Sequence, residues 1–268
     1  MSFGCSEEFY RFLRGNKNLS YVTVKSMVSR IPAPLTNLDN PSNLYDYYFS
    51  VLDGPTSSAN KRQIYYTMKY YCEFRGWPFE YKPPKNHLKR RGHAPIEDIW
   101  KMLEVIEDKR DKALILLHLY TGLRPSELLA LKIKDVDMEQ GLIKIRDTKT
   151  FQDRLVPVHR KALNSLRRYL DSREDECPYL FRTYRGEKKL SMERYRYLLN
   201  KYCSMSGIKR ITPYMVRHSF ATCYVENGGN IKALKEILGH RDIKTTEIYI
   251  HESEKIIKKD YDRSCPDF

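Results

Sequence analysis

The sequence reads TPYMVRHSFAT at residues 212–222, LGH at 238–240 and TTEIYIH at 245–251. Thr212 followed by Pro213 is the pattern of a cap residue and then a proline that opens a helix. Tyr214 and Arg217 are three positions apart, so the first turns of this helix present them on one face. Gly239 is typical of a helix end. The stretch therefore predicts helices that carry polar side chains at fixed spacing.

Tyr249, in the last of these strings, is the candidate nucleophile, and it follows His240 by nine positions. A phenol has a pKa of about 10, so on the order of one molecule in a thousand is ionised at neutral pH. Chemistry at this tyrosine therefore needs cationic and hydrogen-bonding neighbours. Arg217 supplies a cation. His240 suits a donor to phosphate or a side chain that orients others, although alone such a histidine is more often structural.

A second arginine lies in the string TGLRPSELLAL, residues 121–131. Arg124 precedes Pro125 and is therefore presented at a helix start, where backbone N–H groups and the helix dipole attract oxyanions. Taken alone, Arg124 is equally consistent with a structural ion pair to Glu127. With Arg217 it makes a pair of planar guanidinium groups that can fork onto one phosphate and stabilise a pentacovalent transition state.

Two segments of alternating polarity, residues 141–146 and 154–158, predict a pair of strands. The polar residues 147–153 connect them as a hairpin, and Lys149 lies near its tip. A flexible ammonium group there can protonate a departing sugar oxygen as a general acid. Without the other motifs, Lys149 is better explained as an exposed hairpin lysine.

Elsewhere the patterns predict helices. Cap residues precede and breakers follow residues 44–52 and 59–75, which indicates a small helical bundle at the N-terminus. The second of these helices repeats aromatic residues at helical spacing, which is more often core packing than a platform for stacking bases. Residues 111–120 are apolar in the middle and therefore predicted to be buried, with Gly122 at the helix end.

Residues 82–95 carry five Lys or Arg and no Asp or Glu, and they are rich in Pro and Gly. We place a linker here, between an N-terminal domain of residues 1–81 and a second domain of residues 96–268. The segment is either a solvated connector or a basic strap along DNA phosphates. In the second case the candidate DNA-binding residues are Lys82, Lys85, Lys89, Arg90 and Arg91.

Composition narrows the classes of function. The 268 residues carry a net charge of +14, which favours a polyanionic partner such as nucleic acid. The six cysteines show neither zinc spacing nor a disulfide framework, and we expect no metal and no cofactor. Apolar residues are interleaved with charge, and the first residues resemble no secretory signal. We therefore expect a cytoplasmic, DNA-associated protein without a membrane partner.

In chain order, the string TGLRPSELLAL, the hairpin lysine twenty-five positions after Arg124, and the strings YMVRHSFAT, LGH and TTEIYIH resemble the tyrosine recombinases, or phage-type integrases. The resemblance is strong over residues 96–255 and weak before them. It implies a mainly α fold with a small β-hairpin or sheet, in which an N-terminal helical core-binding domain clamps DNA and a C-terminal domain carries catalysis. It also implies the roles of site residues. Arg124 and Arg217 are the arginine pair, Lys149 is the hairpin lysine and His240 occupies the His-or-Trp position. Tyr249 is the nucleophile and Glu127 the supporting acidic residue.

One position departs from the family, which usually has histidine where this chain has Tyr214. That imidazole is commonly assigned as the acceptor of the nucleophile's proton, and a phenol is a weaker base at neutral pH. Tyr214 either hydrogen-bonds a phosphate oxygen, leaves the proton to water, or has a pKa lowered by the arginines. Tyrosine at this box resembles integrases of archaeal plasmids and viruses. His218 is one helical step of about 100° from Arg217, so we expect it to point elsewhere, into the core.

The implied reaction is site-specific cleavage and rejoining of double-stranded DNA through a 3′-phosphotyrosyl intermediate, without ATP or metal. The family works as a tetramer on paired sites, which is compatible with a monomer in solution. Two alternatives stay open: a type IB topoisomerase, which has a similar residue set, and an accessory DNA-binding protein that has lost chemistry. Integration of a mobile element and resolution of chromosome dimers are both consistent with the sequence.

Overall fold

The computed structural model describes residues 7–31, 41–85, 92–146, 153–184, 188–240 and 242–251. The chain divides into two compact units, Met1–Arg90 and Arg91–Phe268. The predicted fold class is confirmed, because both units are built of helices and the strands form one small antiparallel sheet. Among the described residues, no helix has the length and apolar character needed to span a membrane.

The first unit contains four described helices: α1 (Glu7–Gly15), α2 (Tyr21–Val28), α3 (Ser42–Asp53) and α4 (Ser58–Arg75). The predicted limits of α4 are confirmed. Ser57 accepts a hydrogen bond from the backbone N–H of Asn60 at its start, and Gly76 adopts the left-handed conformation at its end. The segment after α4 folds back onto it, since Tyr65 donates a hydrogen bond to the Tyr81 carbonyl over 2.9 Å.

Aromatic rings fill the core of the first unit. Tyr65 and Tyr71 on α4 are buried, together with Tyr48 on α3 and Phe9 on α1. The Phe9 and Tyr71 rings meet edge to face with centroids 5.0 Å apart, a geometry that aromatic pairs favour. The prediction that the aromatic repeat of α4 serves packing is therefore confirmed for these two tyrosines.

The second unit contains eight described helices and three strands. The helices are α5 (Ile96–Glu104), α6 (Lys109–Thr121), α7 (Pro125–Ala130), α8 (Arg160–Leu170), α9 (Met192–Met205), α10 (Pro213–Glu226), α11 (Ile231–Leu238) and α12 (Lys244–His251). The strands are β1 (Val136–Asp137), β2 (Leu142–Ile145) and β3 (Arg154–Pro157).

Helix α6 forms the centre of this unit. Its apolar residues are buried almost all around, and it packs against α8 and α10. Gly122 ends it with a φ of 57°, as predicted, and a Cβ at this position would lie 2.2 Å from the Phe220 ring. Only glycine therefore fits the turn that leads from α6 to α7.

The predicted hairpin is present. Strands β2 and β3 pair antiparallel, with Ile143 opposite Val156, and both of these side chains are buried. The short strand β1, which the sequence did not predict, extends the sheet on the other side of β2. Lys149 lies outside the described residues. In the basic segment, Lys82 and Lys85 are exposed, and Lys89, Arg90 and Arg91 lie outside the described residues.

Candidate active site

Three arginines from three elements meet at the C-terminal end of α11. Each donates a hydrogen bond to one of three consecutive backbone carbonyls: Arg154 Nε to Ile237 over 3.0 Å, Arg217 Nη2 to Leu238 over 3.0 Å, and Arg124 Nη2 to Gly239. The last carbonyls of a helix have no partner within the helix, and the dipole makes that end negative. The end of α11 therefore gathers three guanidinium groups in one place.

Gly239 makes this arrangement possible. It ends α11 with a φ of 65°, in the left-handed region that glycine adopts without strain. A Cβ here would lie 2.8 Å from the guanidinium carbon of Arg154, closer than side chains pack. The glycine predicted as a helix end thus also leaves room for an arginine.

Glu127 joins two of the arginines. Its carboxylate accepts from Arg124 Nη1 over 2.7 Å and from Arg154 Nη2 over 2.8 Å, and from the Arg124 backbone N–H over 2.9 Å. Burial opposes ionisation, but the hydrogen bonds and charges of the two arginines outweigh it and lower the pKa of Glu127. The structural ion pair considered for Arg124 is therefore present. Even so, 36 % of the Arg124 side chain stays exposed.

Arg217 is the most enclosed cation of the site, with 5 % of its surface exposed. Its Nη1 donates to the Gly122 carbonyl over 2.9 Å, and its Nη2 lies 2.9 Å from Nε2 of His240. Burial and the neighbouring Arg124 lower the pKa of Arg217 to about 10, which leaves it charged at neutral pH. It ties the turn after α6 to the end of α11.

His240 orients Arg217 in this structure. An arginine can only donate, so His240 Nε2 accepts and Nδ1 carries the proton. Nδ1 then donates to the hydroxyl of Thr246 on α12 over 2.8 Å. Burial and the charges of Arg217 and Arg124 lower the pKa of His240 to about 4, so the ring is neutral at physiological pH. In this structure the ring thus links Arg217 to Thr246. We call Arg124, Glu127, Arg154, Arg217 and His240 the arginine frame.

Tyr249 lies on α12 beside this frame. It is 2 % exposed and packs in an apolar cluster with Ala221, Val225, Leu234 and Leu238, which we call the tyrosine cluster. The phenol is close enough to Arg217 to contribute to its electrostatic environment. The predicted nucleophile and the predicted arginines are therefore neighbours, although they come from separate stretches of the chain.

Tyr214 occupies the first turn of α10 and is 44 % exposed. The expectation that His218, one turn later, points away from the site was wrong. Its ring faces Tyr249, with centroids 5.5 Å apart and planes inclined at 55°. The 100° step from Arg217 turns His218 toward the stripe of α10 that holds Ala221 and Val225, against which α12 packs.

Three polar residues of the site region were missed from the sequence: Arg154, Thr246 and His118. His118 is fully buried in α6, where Nε2 donates to the Leu123 carbonyl over 3.0 Å and Nδ1 accepts from Tyr195 over 2.7 Å. Burial lowers its pKa to about 3, so it stays neutral and holds the turn before Arg124. Each is a single polar residue within an ordinary helix or strand pattern, so no sequence motif indicated that it belongs to the site.

Among the described residues, no group of His, Cys, Asp and Glu side chains is arranged to hold a metal ion. Residues 93–255, more than half of the chain, match the model of the phage integrase family. The chain belongs to the phage integrase family.

Individual members of the phage integrase family are similar to this chain in sequence or in structure. Tyrosine recombinase XerA of Thermococcus onnurineus (strain NA1) is 39 % identical over 210 residues, which cover 76 % of this chain and 74 % of that one. The Tn1549 transposon integrase in complex with circular intermediate DNA superposes with a TM-score of 0.72 at 19 % identity, covering 96 % and 98 % of the two chains. The XerH site-specific recombinase bound to a palindromic difH substrate superposes with a TM-score of 0.69 at 22 % sequence identity, and the match covers 97 % of this chain and 83 % of that one.

At these identities the solved structures establish the fold, whereas the family model and the XerA relative establish membership. The predicted family is thereby confirmed, and this phage integrase family member is a tyrosine-type site-specific DNA recombinase. Neither a topoisomerase nor an accessory protein without chemistry is favoured by these relatives.

Proposed function

We propose that this recombinase breaks and rejoins double-stranded DNA with Tyr249 as nucleophile, through a 3′-phosphotyrosyl intermediate. The observation that carries the proposal is the arginine frame beside Tyr249, in which Arg124 and Arg217 are held by hydrogen bonds to the turn after α6 and the end of α11. Cations fixed before the substrate arrives need no rearrangement when charge develops, which is the basis of electrostatic catalysis.

Arg124 and Arg217 bind the non-bridging oxygens of the scissile phosphate. A guanidinium group has five N–H donors, and the contacts of Arg217 with Gly122, Leu238 and His240 engage three of them. Donors are therefore available to phosphate without loss of the frame. Glu127 and His240 keep the two arginines in place, and Tyr214, exposed at the start of α10, hydrogen-bonds a phosphate oxygen.

The chemical step transfers the phosphate from one oxygen to another. The phenol oxygen of Tyr249 attacks phosphorus, the bond from phosphorus to the 5′ oxygen breaks, and Lys149 gives that oxygen a proton. The ester to tyrosine keeps the energy of the broken bond. A 5′-hydroxyl from a second duplex reverses the step, so exchange of strands requires neither ATP nor a metal ion.

Binding of DNA must uncover the nucleophile, because Tyr249 is 2 % exposed and Arg217 is 5 % exposed. Helix α12 carries Tyr249 and packs on α10 and α11 through the small tyrosine cluster. We assign the opening to a shift of α12 that exposes the phenol oxygen and clears the path of a phosphate to Arg217, while the Tyr249 ring stays beside His218 on α10.

The basic segment and the N-terminal unit complete the DNA-binding surface. In this proposal residues 1–81 form a core-binding domain, residues 82–95 a linker and residues 96–268 the catalytic domain. Lys82 and Lys85 are exposed and so available to phosphates, and Lys89, Arg90 and Arg91 extend the same basic run. Four protomers act on paired recombination sites in the cytoplasm.

The direct test uses a nicked suicide substrate, in which the short 5′-hydroxyl strand diffuses away and traps the covalent adduct. In buffer with EDTA, we expect the wild-type protein to form an adduct and Tyr249→Phe to form none. Denaturing gel electrophoresis measures it. An adduct that survives Tyr249→Phe identifies another nucleophile and ends this proposal.

The same substrate tests the general acid. Lys149→Ala should slow cleavage of the normal phosphodiester by about 10²-fold or more. A 5′-bridging phosphorothiolate has a leaving group that needs no proton, so cleavage of this substrate by Lys149→Ala should approach the wild-type rate. A defect of equal size on both substrates would assign Lys149 to positioning instead.

A further inference from the structure

Tyr249 faces an imidazole in this structure. The His218 ring and the Tyr249 ring lie with centroids 5.5 Å apart. Tyr249 is buried at 2 % exposure, so its surroundings are protein groups, and His218 is itself partly buried. His218 is also near enough to His240 to contribute to its electrostatic environment, which puts this imidazole at the meeting point of the arginine frame and the tyrosine cluster.

The helix register explains how His218 reaches this place. Residues 214 and 218 are four positions apart on α10, so they differ by about 40° around the axis and by about 6 Å along it. His218 therefore lies on the same face as position 214, one turn further along. Ala221 and Val225 continue this stripe and pack against Tyr249.

Two other groups that could accept a proton make hydrogen bonds within the arginine frame. His240 Nε2 accepts from Arg217 and its Nδ1 donates to Thr246, so the acceptor nitrogen of that ring is engaged. The Glu127 carboxylate is held by Arg124 and Arg154. Arginines have no acceptor atom. Among the described residues of the site, His218 is the imidazole that faces the nucleophile.

We propose that His218 accepts the proton of Tyr249 during DNA cleavage, in the place of the histidine that Tyr214 replaces. The inference rests on the proposed role of Tyr249. As the bond from the phenol oxygen to phosphorus forms, the O–H bond breaks and its proton passes to a ring nitrogen of His218. The 5′ oxygen leaves with a proton from Lys149. In the reverse step, the imidazolium returns its proton to the phenol oxygen as the tyrosyl ester breaks.

The test measures single-turnover cleavage of the nicked suicide substrate by His218→Gln, which keeps a polar side chain but removes the base. We expect the cleavage rate to fall by about 10²-fold or more, the range of general-base catalysis. DNA affinity, measured by fluorescence anisotropy, and the melting temperature should stay close to those of the wild type. His159→Asn, which keeps a cap residue at the start of α8, is the matched histidine control.

Two rescue experiments separate proton transfer from packing. Imidazole in the buffer should restore part of the cleavage by His218→Ala, and it should have no effect on the wild type. Tyr214→His, which returns histidine to the first position of the box, should raise the cleavage rate of His218→Ala at least tenfold and that of the wild type by less than threefold. A merely structural His218 would show neither the imidazole rescue nor this difference between the two backgrounds.

The outcomes distinguish this inference from the proposed function. If wild-type protein forms the adduct and His218→Gln forms it at a rate within about threefold, His218 is not the proton acceptor while Tyr249 remains the nucleophile. Failure of both rescues on a folded His218→Ala overturns the inference as well. If Tyr249→Phe still forms an adduct, the proposed function fails first and this inference with it.

Discussion

The two halves of the site are held by different forces. The arginine frame is fixed by directed hydrogen bonds to carbonyls at the end of α11 and the turn after α6, and by the Glu127 carboxylate. The tyrosine cluster holds its phenol by packing among a few small apolar side chains. Directed bonds to charged groups fix position and resist movement, whereas a small apolar contact is readily separated. The half that we propose to bind phosphate is thus preorganised, and the half that carries the proposed nucleophile is held less rigidly.

The largest effect should come from replacing a cation of the arginine frame. Arg217→Lys keeps the charge but loses the planar fork that contacts Gly122, Leu238 and His240. We expect adduct formation to fall by about 10²-fold to 10³-fold, because transition-state stabilisation depends on placed donors. Single-turnover cleavage measures the loss. Arg196→Lys on the exposed surface of α9 is the control, and a loss below tenfold for Arg217→Lys would contradict a rigid frame.

The second effect concerns the turn on which the frame rests. Gly122→Ala imposes a side chain at a φ of 57° and drives its Cβ to 2.2 Å from the Phe220 ring. Strain and overpacking together should lower the free energy of unfolding by about 2–5 kcal/mol.

Gly207 provides the matched control for Gly122. Its φ is 66°, yet a Cβ there meets nothing within 4 Å. Gly207→Ala should therefore cost only about 1–2 kcal/mol, the strain of the left-handed conformation. Urea unfolding of both variants gives the comparison, and equal losses would show that the close approach of Phe220 to the turn has no energetic weight.

The third effect is the pH dependence of stability that His118 introduces beneath the frame. Burial lowers its folded pKa from 6.5 to about 3, so the unfolded chain binds the extra proton between these values. Stability contributed by the neutral ring is present above pH 6.5 and is lost as the pH falls toward 3. The slope reaches at most about 1.4 kcal/mol per pH unit.

His118→Gln tests this assignment. A glutamine amide can donate to the Leu123 carbonyl and accept from Tyr195, as His118 does, but it does not titrate. Urea unfolding between about pH 4 and pH 7 should therefore show a shallower loss of stability on acidification than in the wild type. An unchanged slope would move the origin of the acid sensitivity to other groups.

The smallest effect should come from the hydrogen bond that links the arginine frame to helix α12. Thr246 lies on α12 with Tyr249, yet its hydroxyl accepts a hydrogen bond from His240 in the frame. Thr246→Val removes one hydrogen bond at nearly constant shape, so cleavage should slow by up to about tenfold, the equivalent of about 1.4 kcal/mol. Thr245→Val, at an exposed position on the same helix, should be silent. If the two variants behave alike, the contact of α12 with the frame plays no part in cleavage.

Local patterns in the sequence predicted much of the fold. Thr212 caps α10 by accepting a hydrogen bond from the Met215 backbone N–H, and Pro213 is the first residue of this helix. Gly122 and Gly239 end α6 and α11 in the left-handed conformation. These features depend on interactions within a few residues of chain, which is why spacing alone identified them. The hairpin was predicted for the same reason, whereas the two-residue strand β1 was too short to show a period.

The partners inside the site could not be predicted in this way. Arg154 was predicted only as a strand residue and His218 as a core residue, and no role was predicted for Thr246. The part that each residue plays depends on a contact with a side chain on a different element of the fold. The contact of Arg124 with the Gly239 carbonyl spans 115 positions, and a periodic pattern carries no information at that separation.

The sequence by itself determined where most of the helices begin and end and the family to which the chain belongs, and it predicted Arg124, Arg217 and Tyr249 as site residues. Tertiary structure alone decided that the unpaired carbonyls of α11 collect three arginines, that His240 faces Arg217 and Thr246, and that the His218 ring meets Tyr249. The physical reason is that caps and periods are properties of neighbouring residues, whereas hydrogen bonds between separate elements exist only once packing has brought those elements together.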